Sequence, residues 1–169
     1  MDKEILKKIK KIQILAMDFD GVHTDGFVYV GQNGEEFVRC SRRDSLGLNM
    51  LQEAGIKLFV ISKEKNPVVK MRCEKLGILY YQGVDDSQGK AEILKSLAEK
   101  EKVDMSRVAF IGDDENDIDA LSCAGVSITV ADGHEKVKKV VNFILTRKGG
   151  DHALRELSDL IMNARNNEE

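Results

Sequence analysis

Short apolar runs alternate with stretches of helical period along this chain. Residues 12–17, 57–61, 78–81, 107–111, 125–130 and 142–145 predict strands. The runs K-L-F-V-I at 57–61 and R-V-A-F-I at 107–111 read as buried on both faces. Between them lie helical segments. One is capped by Asp44, runs to about residue 54 and stops at Gly55; another opens on Pro67 and stops at Gly77. Residues 88–100 carry Ala91, Leu94, Leu97 and Ala98 on one face, and further helices are predicted over 115–123, 135–139 and 151–163. Residues 27–30 and 36–39 flank Gly31-Gln32-Asn33-Gly34 and predict a β-hairpin. Residues 2–11 form a charged lead-in of one or two helical turns, and residues 166–169 a frayed polar tail.

This alternation predicts an α/β fold: a parallel sheet with right-handed crossovers and helices on both faces. With one proline and no repeat, linker or low-complexity segment, the expectation is a single domain over residues 1–169, with the hairpin, about 26–39, as a flap.

Composition narrows the function classes. The chain is 42% hydrophobic and 33% charged with a net charge of −3, so it favours neither nucleic acid nor an anionic membrane. Trp is absent and aromatics are few, which leaves no stacking platform for single strands. Cys40, Cys73 and Cys123 have no metal-type spacing and read as reduced thiols. The apolar run before Asp18 is too short for a signal peptide or a membrane span, so the expected location is the cytoplasm.

The strand ends carry the chemistry. The first delivers Asp18 and Asp20, two apart, with Gly21 to turn the backbone. Two acids at one strand tip repel, and a hard divalent cation such as Mg²⁺ relieves that repulsion. A calcium loop fails on spacing, because its fifth and twelfth positions would be Val22 and Tyr29; a solvated acidic turn is the plainer rival. The 57–61 strand ends at Ser62, and the 107–111 strand in Gly112-Asp113-Asp114 with Asp117 one turn on. Lys90 opens the helix between them. A carboxylate nucleophile, a second acid to shuttle a proton, a metal, a hydroxyl and an ammonium together suit phosphoryl transfer.

The set resembles the haloacid dehalogenase superfamily of phosphatases, over nearly the whole chain. Asp18-Phe19-Asp20-Gly21-Val22 is similar to the first motif of that superfamily, Ser62 to the second and Gly112–Asp117 to the acidic fourth. The resemblance implies a Rossmann-like sheet, with Asp18 as nucleophile and Asp20 as general acid/base. It also implies Mg²⁺ on the Asp18 side chain, the Asp20 carbonyl and Asp113, and phosphate on Ser62 and Lys90. Asp114 and Asp117 would orient the metal's surroundings, although helix capping explains them equally well. One position departs from the pattern: members carry a lysine directly after the residue matching Asp86, where this chain has Ser87. Lys90, one turn later, is either its replacement or a solvated helix lysine.

Larger members insert a cap domain, for which this chain has no room, so the resemblance suggests a homotetramer in which the hairpin and a neighbouring subunit cover the site. Within the superfamily the chain resembles the small cap-less phosphatases of 3-deoxy-manno-octulosonate 8-phosphate. The matching residues are 18–26, Gly34-Glu35-Glu36, Arg43-Asp44, Tyr81-Gln82-Gly83, 111–114, Gly149-Gly150 and Arg155-Glu156. The stretch Ser62-Lys63-Glu64-Lys65-Asn66 is closer to nine-carbon relatives. By that resemblance Glu64, Arg72 and Lys75 would meet the sugar acid, the last two from an adjacent subunit; charge pairing on a solvated helix face is the competing reading. The expected partner is therefore a small sugar-acid phosphate of eight or nine carbons. His23 is read as packing or a lid contact. Rival functions are a phospho-receiver switch, which would need an acceptor Asp where this chain has Tyr81-Gln82-Gly83, and an inactive accessory phosphosugar-binding module.

Overall fold

The computed structural model describes residues 3–166; residue 2 of the lead-in and most of the expected frayed tail lie outside them. The chain opens with helix α1 (Lys3–Lys10) and enters β1 (Ile14–Met17), whose four residues are all buried. β1 lies at the middle of a six-stranded sheet, between β4 (Lys57–Ile61) and β6 (Val108–Ile111). β5 (Leu79–Tyr81) flanks β4, while β7 (Val126–Thr129) and β8 (Phe143–Ile144) extend the other side, giving the order β5-β4-β1-β6-β7-β8 with every pair parallel. Between β1 and β4 come the hairpin strands β2 (Thr24–Val30) and β3 (Glu36–Cys40) and helix α2 (Arg42–Glu53). The remaining helices are α3 (Pro67–Leu76), α4 (Ser87–Glu101), α5 (Ile118–Cys123), α6 (Glu135–Lys138) and α7 (Ala153–Asn166).

Because side chains alternate across a strand, the sheet divides the core in two. Leu15 and Met17 pack with α1, α2, α3 and α7 on one face; Ile14 and Ala16 pack with α4, α5 and α6 on the other. The register brings the strand tips level: Met17 pairs with Val60 on one side and Ile111 on the other. Asp18, Ser62 and Asp113 therefore leave the sheet along one edge. No helix among the described residues is long and apolar enough to cross a membrane.

Several boundaries differ from the sequence expectation. α2 is capped by Ser41, whose hydroxyl accepts from the N–H groups of Arg43 and Asp44, and not by Asp44. Asp44 instead turns inward toward α7. The predicted helix 115–123 splits into a 3-10 turn, Glu115–Asp117, followed by α5, because Asp114 and Asp117 form a capping box that tightens the first turn. α7 starts at Ala153, since Gly150 and His152 hold left-handed φ values of 64° and 71° just before it. β1 starts at Ile14, because α1 ends in a turn in which the N–H of Ile12 donates to the Ile9 carbonyl.

Candidate active site

Asp18 stands at the tip of β1. Its Oδ1 accepts from the Phe19 N–H at 2.8 Å and from Lys90 Nζ at 2.9 Å. Lys90 also donates to Asp117 Oδ1 at 2.7 Å. Lys90 and Asp117 are both 0% exposed, and an ammonium can be buried this completely only when it is paired. Asp86 caps α4 through the Gly89 N–H, which sets Lys90 on the buried face with Leu94 and Leu97. Burial alone would lower the Lys90 pKa, but Asp18 and Asp117 outweigh it and hold the group above its ordinary value. The solvated-lysine reading fails on this burial. Ser87 serves the packing instead, since its Oγ accepts from the Asp119 N–H at 2.8 Å and ties α4 to α5.

Asp117 joins the two motifs. Its Oδ2 accepts from the N–H groups of Asp113 and Asp114 at 3.0 and 3.3 Å. A Cβ at Gly112 would stand 2.4 Å from the Asp117 carboxylate carbon, so only glycine admits this approach. Asp114 is exposed and serves as the cap of the 3-10 turn. Carboxylate oxygens of Asp18, Asp113 and Asp117 lie within 4.8 Å of one another. Gly21, with φ 71°, presses against this group: a Cβ there would meet Asp113 Oδ2 at 2.0 Å. Burial and then Asp117 push Asp18 well above the usual carboxylate range, against the pull of Lys90. Burial, Asp117 and Asp114 push Asp113 up to about 7. Three carboxylates thus crowd around one ammonium that pairs with two of them, and a hard cation with oxygen ligands fits the excess negative charge.

Asp20 is not among the three. Its Oδ1 accepts from Thr24 Oγ1 at 3.4 Å, and the same Thr24 oxygen accepts from the N–H groups of Gly21 and Gly26. Burial and then Glu64 raise its pKa, against Thr24 and Lys90. Asp18 and Asp20 floor a cleft of about 510 Å³ that Ser62, Glu64 and the hairpin residues Val28 and Glu36 also line. Ser62 Oγ accepts from the Glu64 N–H at 3.1 Å, leaving its own O–H free to donate. Asn66 caps α3 through its side-chain oxygen, and its Nδ2 donates to Glu36 Oε2 at 2.6 Å, tying the hairpin to the loop that carries Ser62 and Glu64.

Arg72 and Lys75 line a different hollow, of about 350 Å³, together with Arg42 and Leu46. Arg72 Nη2 donates to the Ser41 carbonyl at 3.1 Å and to Ser45 Oγ at 2.6 Å, pinning the start of α2. His23 is 2% exposed and stacks on Phe19, with ring centroids 5.4 Å apart. Sequence reasoning missed Thr24 and Asn116, which orient Asp20 and line the cleft respectively. Each lies within one of the acidic motifs, and the available signal was a hydroxyl or amide among the acids.

A sequence profile described as haloacid dehalogenase-like hydrolase matches residues 63–154. The 3-deoxy-D-manno-octulosonate 8-phosphate phosphatase of Haemophilus influenzae is 36% identical over 159 residues, covering 94% of this chain and 87% of that protein. The Escherichia coli K12 enzyme of the same name is 33% identical over 162 residues, covering 95% and 85%. Among solved structures, the Moraxella catarrhalis 3-deoxy-D-manno-octulosonate 8-phosphate phosphatase, in complex with magnesium, phosphate and KDO, superposes with a TM-score of 0.93 at 38% identity, covering 99% of this chain and 95% of that one.

Proposed function

The chain belongs to the haloacid dehalogenase-like hydrolases, and on that premise we propose that it is a Mg²⁺-dependent phosphoric monoester hydrolase acting on 3-deoxy-D-manno-octulosonate 8-phosphate. The observation that carries this reading is the buried triplet of Asp18, Lys90 and Asp117 beside Asp113 at the foot of the cleft. Similarity to relatives of that name over most of the chain supports the substrate.

Asp18 is the nucleophile. Its carboxylate attacks phosphorus, the bond from phosphorus to the sugar's terminal oxygen breaks, and an aspartyl phosphate forms. Asp20, oriented by Thr24, gives a proton to the departing alkoxide. It then takes one from the water that attacks phosphorus, which breaks the bond to Asp18 and releases inorganic phosphate. Lys90 pulls Asp18 toward its ionised form against burial and Asp117, and the Ser62 hydroxyl donates to a phosphate oxygen. Asp18, Asp113 and the Asp20 carbonyl would hold Mg²⁺, which when bound would supply charge neutralisation for the phosphoryl group. Asp114 acts through the turn it caps, and Asp117 through the groups it fixes.

We further propose a homotetramer in which the hairpin and part of a neighbouring subunit together cover the cleft, with Arg72 and Lys75 reaching the sugar acid from that neighbour. The support is the exposure of Phe27, Tyr29, Val30 and Phe37, at 73, 71, 66 and 59%. Glu64 on the cleft wall favours a second reading, a nine-carbon sugar acid. A phosphate-release panel of eight- and nine-carbon ulosonic acid phosphates, run with EDTA and after restoring Mg²⁺, tests the substrate and the metal. The eight-carbon ester is expected to give the highest kcat/KM, EDTA to abolish turnover and Mg²⁺ to restore it. Preference for the nine-carbon ester would replace the substrate, and full activity in EDTA would remove the metal.

A further inference from the structure

Asp44 has no part in the chemistry above, yet it is 2% exposed, and its Oδ2 has no hydrogen-bond partner. Its Oδ1 accepts from the Arg155 N–H at 2.8 Å. Arg155 lies in the first turn of α7, where backbone N–H groups lack partners within the helix. A carboxylate borrowed from α2 therefore caps α7. Directly before α7, Gly149 and Gly150 are pressed onto the loop that follows the nucleophile. The Gly150 N–H donates to the Val22 carbonyl at 3.1 Å, and a Cβ at Gly149 would stand 1.8 Å from the Gly21 carbonyl oxygen. A Cβ at Gly150 would stand 2.5 Å from the Asp25 nitrogen. This loop includes Thr24, the residue that orients Asp20. Burying a polar side chain with one oxygen unpaired is costly, and a side chain serving only the packing of α2 on α7 would not need an acceptor oxygen.

We propose that Asp44 is a positioning residue for Asp20: it anchors the start of α7, which presses Gly149 and Gly150 against residues 21–25 and so fixes Thr24 and the acid it holds. The inference rests on the proposed phosphatase reaction with Asp20 as the proton donor.

The test compares kcat/KM for two esters on the same enzyme sample, so that the folded fraction cancels. The p-nitrophenolate of p-nitrophenyl phosphate leaves without a proton, whereas the alkoxide of 3-deoxy-D-manno-octulosonate 8-phosphate needs one. Asp44→Ala is expected to lower kcat/KM for the alkyl ester about tenfold more than for the aryl ester. Asp44→Asn, which keeps an acceptor for the Arg155 N–H, is expected to restore the wild-type ratio. Leu51→Ala, which loosens the core beneath α2 and α7 without touching this contact, is expected to leave the ratio unchanged. Asp44→Ser, too short to reach Arg155, carries the test if alanine yields too little folded protein. An unchanged ratio in Asp44→Ala or Asp44→Ser, or a ratio in Asp44→Asn as disturbed as in alanine, overturns the inference. A wild-type enzyme inactive on both esters would instead sink the phosphatase reading beneath it.

Discussion

At the edge of the sheet the ionised groups are buried against partners, whereas across the same cleft the hairpin turns apolar side chains to solvent. Lys90 and Asp117 are fully enclosed, and Asp18 retains 5% exposure. Phe27 and Tyr29 retain more than 70%. The two regions follow opposite rules because different things complete them. The edge is assembled by covalent neighbours and strand register, and one chain supplies all its protein groups. The hairpin is a separate two-stranded sheet, and an isolated pair of strands is marginally stable alone. Each aromatic it exposes forgoes roughly 1.5–3 kcal/mol of burial. On the proposed assembly, the reaction is thus written into one subunit, and substrate selection into an association between subunits.

The sharpest way to break this contrast is at the edge. Asp18→Asn is expected to lower phosphate release by at least about a thousandfold while leaving oligomeric state unchanged, because a neutral amide cannot act as the nucleophile. Parental turnover of p-nitrophenyl phosphate by this variant would place the nucleophile elsewhere. Lys90→Met leaves two buried carboxylates without their cation. It should cost about 3–5 kcal/mol in urea unfolding and about a hundredfold in turnover. A variant as stable as the parent would show that the ion pair is not the buried element described above.

On the other side of the cleft, Phe27→Ser combined with Tyr29→Ser is expected to dissociate the oligomer in light scattering. kcat/KM for the sugar-acid ester should fall about ten- to a hundredfold, and for p-nitrophenyl phosphate by less than about threefold, since only selection is lost. Equal losses on both substrates would mean that the hairpin serves the chemistry directly.

What could be read from the residues follows the same division. Asp18, Ser62 and Asp113 were legible because each ends a buried strand of a parallel sheet, and such tips must share an edge. The burial of Lys90 was not, since most helical lysines are solvated and only the folded position of Asp117 distinguishes this one. Ser41 and Asp44 are both capping residue types three apart. Choosing between them required knowing that α7 comes to lie beside α2 and needs an acceptor. The contact of Gly149 and Gly150 with residues 21–25 is equally invisible locally, because it joins segments near opposite ends of the chain.

His23 lies where the sheet edge passes into the hairpin, and it gives the smallest of the expected effects. Burial, and then the nearby Arg72, lower its pKa to about 3. Above the ordinary imidazole value the ring is neutral in both the folded and unfolded chain, so it adds no pH dependence. Below about 6.5 the unfolded chain takes up a proton that the folded one refuses, and stability falls with pH until the folded value is reached. Within that window the loss approaches about 1.4 kcal/mol per pH unit. His23→Phe keeps the stack on Phe19 and removes the unpartnered Nε2. Urea unfolding at pH 7, 6 and 5 should therefore show the variant at least as stable as the parent at pH 7 and progressively more so on acidification. If the two proteins lose stability in parallel, the ring is protonated or paired in the folded state, and the root of the hairpin is more open to water than its burial implies.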